Sequence, residues 1–158
     1  MVRKQRIYLD TSIISAYWYH GGDDLLLGRR AATRAWWDEE RDQYDSFCSA
    51  VVVTELRRGR FSEQKRCIRM AEKLRHLPVS RPVRRLVDLL FDANVIPRTE
   101  LEDAFHLALA VVHNVDFLLT WNYAHLANPH VQRQLQRLCQ KEAIGMPLLV
   151  SPESMPQV

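Results

Sequence analysis

At 158 residues, with 47% hydrophobic and 26% charged, the chain has the balance of one ordinary globular domain over 1–158. That excludes a low-complexity or repeat chain. No apolar run reaches the ~18 residues needed to span a bilayer. The run behind the basic segment Met1–Arg6 is broken by Asp10 too early for a secretory leader, so a cytoplasmic protein without membrane contact is expected. The net charge of +3 is compatible with a nucleic-acid partner, and its distribution says more, because Arg and Lys crowd the segment from Arg57 to Arg85. Cys48, Cys67 and Cys139 are too widely spaced for a zinc site and read as small buried hydrophobes.

In chain order, Ile7–Leu9 predicts a short buried strand. Thr11 or Asp10 can cap a helix through Ile13, Ile14, Ala16 and Tyr17, which Gly21-Gly22-Asp23 ends. Asp24 can cap a helix from Leu25 to about Arg41. Tyr44–Cys48 predicts a second strand. Ser49 caps a helix over Ala50–Arg58, stopped by Gly59. A basic helix from Ser62 to about His76 precedes a third strand at Leu77–Ser80. Pro82 suits the first turn of an amphipathic helix bearing Val83, Leu86, Val87, Leu90 and Phe91. After Pro97, Thr99–Glu102 resembles a capping box for a helix over Glu100–His113. Asp116–Trp121 predicts a fourth strand, His125–Gln140 a polar loop and helix, and Pro147–Val150 a fifth strand before a Pro- and Ser-containing tail. Strands alternating with helices predict an α/β fold, a parallel sheet with helices on both faces.

Three acids stand out. Asp10 closes the first strand, where open α/β sheets place ligands. It can equally be a helix cap, and its neighbours Thr11 and Ser12 can orient a carboxylate or cap the helix in turn. Glu55 lies in the apolar run Val51–Leu56, where a carboxylate needs a metal, a cation or hydrogen bonds unless it turns outward to pair with Arg58 or Arg60. Asp103 opens a long helix near the edge of its apolar stripe, although the helix dipole alone can account for acids there. Asp116 is at the wrong end of its strand and reads as a turn acid, whereas Thr120 and Asn122 are at the right end. His106 and His125 read as structural or surface groups, and the position of His125 after the fourth strand leaves open a place near the site. There is no phosphate-binding glycine loop and no Ser or Cys nucleophile motif.

Together, Tyr8–Ser12, Ser49–Leu56, Asp103–Ala108, Asp116–Asn122 and Pro147–Glu153 resemble, in order and spacing, a PIN domain of the VapC-type toxin ribonucleases over nearly the whole chain. The resemblance implies a PIN-like three-layer α/β/α fold with a central parallel sheet of four to five strands. It implies Mg²⁺ or Mn²⁺ and hydrolysis of RNA phosphodiesters. Asp10, Glu55 and Asp103 match the family's first three acids, with Thr11, Ser12 and Thr120 as supporting groups. Asn122 stands where the family often has a fourth acid. The resemblance also implies a small antitoxin partner, whose tail a groove around Ile13, Ile14, Tyr17, Trp18 and Tyr19 could take, and a homodimer. The basic middle helices would contact the RNA backbone. Asn122 keeps open an alternative: a PIN-like RNA- or protein-binding module with a weakened metal site.

Overall fold

A computed structural model describes residues 2–156. Its centre is a five-stranded sheet in the order β3-β2-β1-β4-β5, every pairing parallel. The strands are β1 (Gln5–Leu9), β2 (Tyr44–Cys48), β3 (Arg75–His76), β4 (Phe117–Leu119) and β5 (Leu148–Val150). Seven α-helices flank it: α1 (Thr11–Tyr17), α2 (Asp24–Ala35), α3 (Ala50–Arg58), α4 (Gln64–Lys73), α5 (Arg81–Asp92), α6 (Leu101–Val112) and α7 (Pro129–Lys141). This is the three-layer α/β/α arrangement that the alternation of elements predicts. None of these helices is long and apolar enough to cross a membrane.

Strand periodicity divides the core in two. On β1, Tyr8 faces a large cluster built with α3 to α7, while Ile7 and Leu9 face a smaller one with Trp36, Tyr44 and Trp121. On β4, Leu118 joins the first cluster, and Phe117 and Leu119 join the second. Alternate side chains of a strand point to opposite faces, so the central strands must be apolar on both. Cys48, Cys67 and Cys139 are buried free thiols, and burial pushes the first two up to about 12 and about 11.

Four local expectations are corrected. The third strand is Arg75–His76 rather than Leu77–Ser80, and α4 stops at Lys73. Leu77 still donates its N–H to the Cys48 carbonyl, but Pro78 has no N–H with which to continue the pairing. The second helix is capped by Asp23, not Asp24, and it loosens after Ala35 into a π-turn at Trp36–Glu40 and a 3₁₀ turn at Arg41–Gln43. Thr99–Glu102 forms no capping box: α6 starts at Leu101 without a side-chain cap, because Glu102 is turned towards Arg58. Ile13 and Ile14 are fully buried, so neither belongs to an open groove.

Candidate active site

The chain winds outward from β1 through β2 to β3, then returns to place β4 against the other edge of β1. The crevice at the carboxyl ends of β1 and β4 is therefore the topological switch point, where open α/β sheets bind ligands. Asp10 directly follows β1 and Thr120 directly follows β4. Asp10 is only 2% exposed. It is also the N-cap of α1, so the two readings of this residue are compatible: Oδ1 accepts from the Ser12 N–H at 3.0 Å, the Ser12 hydroxyl at 2.5 Å and the Ile13 N–H at 3.4 Å. Oδ2 accepts from the Thr120 hydroxyl. Burial raises the Asp10 pKa, with the Glu55 charge adding to it, although His106, Ser12 and Thr120 all favour the carboxylate.

Asp103 sits in the first turn of α6 and accepts from Asn122 Nδ2 at 2.9 Å. Asn122 is held in turn by the His125 N–H, which donates to its Oδ1 at 3.0 Å. Burial, with the Asp10 charge adding to it, lifts Asp103 to about 6 against the opposing effects of His106, Asn122 and His125. Asp10 and Asp103 thus share one field, though they arrive from β1 and α6. Other acids of the same elements are engaged elsewhere, and Glu100 faces His125 at 3.6 Å. Glu102 pairs with Arg58, and Asp116, at the far end of β4, accepts from the Arg6 N–H at 2.7 Å.

Glu55 is turned inward, not towards Arg58 or Arg60. Its Oε1 accepts from the Thr11 hydroxyl at 2.8 Å and from His106 Nε2 at 2.5 Å. A carboxylate only accepts, so Nε2 must carry the proton. His106 Nδ1 lies 2.7 Å from the Tyr8 hydroxyl, which lies 2.8 Å from Ser49 Oγ. Burial opposes a charge on His106, but the Glu55 hydrogen bond and the charges of Asp10, Glu55 and Asp103 outweigh it and raise its pKa. Burial likewise holds the Tyr8 phenol well above its ordinary value. A buried chain of hydrogen bonds therefore joins β1, α1, α3 and α6 beneath the carboxylates.

His106 is the residue that sequence reasoning misses, since it reads there as a structural or surface group. One signal points to it. Position 106 lies one turn after Asp103 and is the one polar residue in the run Ala104–Val112, where an imidazole needs partners.

Among the described residues, no three His, Cys, Asp or Glu side chains converge tightly enough to hold a metal by themselves. The donor chemistry still fits a hard divalent cation. Asp10 and Asp103 supply carboxylate oxygens in a mutually repulsive field. Mg²⁺-type ions are commonly held by one or two carboxylates with retained waters.

No family model matches the chain, and no curated protein matches it in sequence. In structure, the chain is similar to FitAcB from Neisseria gonorrhoeae, whose crystal structure aligns with a TM-score of 0.59 at 18% identity. The alignment covers 94% of this chain and 99% of that one. At that identity, what the two share is the α/β fold over essentially their full lengths.

Proposed function

We propose that the chain is a divalent-metal-dependent endoribonuclease, cytoplasmic, and the toxin of a type II toxin–antitoxin pair, as the PIN-type motifs imply. One observation carries this reading: two carboxylates, Asp10 held by Thr120 and Asp103 held by Asn122, stand at the switch point, and among the described residues neither has a salt-bridge partner within 4.0 Å. Buried or half-buried carboxylates without a salt-bridge partner mark a candidate functional site, and a divalent cation is the partner that would keep both ionised. Asp10 and Asp103 would hold Mg²⁺ or Mn²⁺, with Thr120 and Ser12 orienting the first and Asn122 the second. A divalent ion there supplies an acidified water and neutralises charge on the scissile phosphate. Glu55 is fixed through Oε1 by Thr11 and His106, which leaves Oε2 as the atom to take a proton from the attacking water. An apolar notch of about 250 Å³ opens beside Ser12, walled by Ala16, Tyr19, Leu26 and Trp121. A small antitoxin partner belongs to the same proposal, and this notch, which Ser15 and Arg29 also line, is where its tail would enter. A homodimer is part of the same proposal.

Asn122 favours a second reading, an RNA- or protein-binding module without turnover, because its amide donates to Asp103 and adds no charge. Cleavage separates the two. The full chain should cut single-stranded RNA with Mg²⁺ or Mn²⁺ and stop in EDTA. Asp10→Asn and Asp103→Asn should each lose at least ~100-fold, beyond the usual effect of removing a supporting group. Undiminished cleavage in both variants would sink the assignment.

A further inference from the structure

One concavity lies away from the carboxylates. It is a hollow of about 540 Å³ between the end of α1, the π-turn and α4, lined by Trp18, Trp37, Arg41, Arg66, Arg69, Met70, Lys73 and Leu74. Through Arg41, Lys73 and Leu74 it continues into a second hollow of about 270 Å³, which adds Lys4, the hydroxyls of Tyr44 and Ser46, and Arg75, itself paired with Asp45 at 3.1 Å. The chemistry of the lining is one-sided. Its indoles, guanidiniums and ammonium donate hydrogen bonds and do not accept them, and the first hollow contains no acid, amide or hydroxyl side chain. The one acid of the second, Asp42, is solvent-exposed and 3.8 Å from Arg41. At the rim Arg66 pairs with Glu63 at 3.2 Å, but among the described residues neither Arg69 nor Lys73 has an acid within 4.0 Å.

Two guanidiniums are braced on aromatic faces. Arg41 sits 4.3 Å from the Trp37 ring centre, and Arg66 5.2 Å from that of Trp18. Arg41 Nε and Trp18 Nε1 are buried with no acceptor. The donors open to an occupant are those of the exposed Arg69 and Lys73, so it must be rich in acceptors. A peptide backbone alternates carbonyls with N–H groups that find no partner side chain in the first hollow, whereas a sugar–phosphate backbone presents a row of anionic phosphate oxygens to its cations. The hollow also has a fixed relation to the acids: α1, roughly 10 Å long at ~1.5 Å per residue, runs from the Asp10 cap to Tyr17, next to Trp18.

We propose that this hollow binds the sugar–phosphate backbone of single-stranded RNA at a distance from the scissile position, holding the strand while Asp10 and Asp103 meet the cleaved phosphate. The inference rests on the ribonuclease reading and is tested apart from it. Binding of a fluorescein-labelled single-stranded oligoribonucleotide is followed by anisotropy across a salt series in EDTA, which withholds the metal that the proposed cleavage requires. Arg69→Ala/Lys73→Ala should weaken binding about tenfold near 0.1 M salt and reduce the log–log salt slope by about 1.4, at ~0.7 per single-strand phosphate contact. Arg133→Ala/Arg137→Ala on α7, outside the hollow, should change neither by as much. Arg41→Lys, which keeps the charge but loses the stacked plane, should weaken binding several-fold, and circular dichroism confirms folding of each variant. Wild-type affinity and slope in the hollow variants would overturn the proposal. So would absence of binding by the unaltered chain, or displacement of the RNA by poly-glutamate at equal charge concentration, which would assign the hollow to an acidic protein. RNA bound in the expected pattern but never cut with Mn²⁺ supports the hollow and removes the nuclease; cleavage with unaltered binding in the double variant removes the hollow alone.

Discussion

Glu55 is placed by what touches it. Thr11 comes from α1 and His106 from α6, so one carboxylate reports the packing of three helices. The Tyr8 hydroxyl and Ser49 extend that arrangement, and their contact lies wholly within the core. Removing the imidazole in His106→Ala would leave Glu55 without one of its two donors and Tyr8 without one of its two partners. An unsatisfied buried polar group costs about 1–3 kcal/mol, so urea unfolding should show a loss of that order. The positioning role predicts more than instability. Single-turnover cleavage by the folded His106→Ala protein should fall ~10–100-fold in kcat with KM little changed, as for groups that orient a functional carboxylate. His106→Gln, whose amide can still donate towards Glu55, should recover part of it. An unaltered kcat in both variants would restrict His106 to a structural role.

At the scale of elements, three helices end in the same way. After α5 the Val95 N–H bonds the Leu90 carbonyl and the Asn94 N–H bonds the Phe91 carbonyl. After α6 the pairs are Val115 with Ala110 and Asn114 with Val111, and after α7 Ile144 with Cys139 and Ala143 with Gln140. These are Schellman motifs, which place one residue in the left-handed region. Asn94 and Asn114 take it with φ of 55° and 54°, and asparagine tolerates that conformation. Ala143, also at 54°, does not. Ala143→Gly is therefore expected to stabilise the protein by about 0.5–1 kcal/mol, read as a higher urea midpoint at constant slope; a lower midpoint would contradict the strain argument.

For the molecule as a whole, the uncompensated acids set how stability responds to pH and metal. Asp103 titrates near 6 in the fold, above its ordinary value of 3.8. Between those values the folded chain binds more protons than the unfolded one, so this group makes stability fall as pH rises through the window and stay low above it. In EDTA at pH 7, Asp103→Asn should melt higher than wild type, with the gap closing below about pH 4. Divalent metal should reverse the order. Mn²⁺ at 100 times its Kd adds about 2.7 kcal/mol, or roughly 5–10 °C for a chain of this size, in wild type but not in Asp103→Asn. Calorimetry with and without Mn²⁺ checks both; a variant less stable than wild type at every pH would make Asp103 a structural acid.

The sequence by itself determined the alternation of elements and most of their identities, because period-2 and period-3.6 apolar patterns, Ser49 as a cap and Pro82 in a first turn are local signals. It also carried the candidate acids, since a charge in an apolar run such as Val51–Leu56 stands out against its neighbours. The strand order was not local, and neither was the burial of Asp10 against Thr120, 110 positions away. The partners of Glu55 were decided only in three dimensions: Arg58, beside it in the chain, is drawn to Glu102, while His106, 51 positions on, turns to Glu55. A hydrogen bond is won by whichever group the packed helices bring within 3 Å, and that competition has no trace in a one-dimensional pattern.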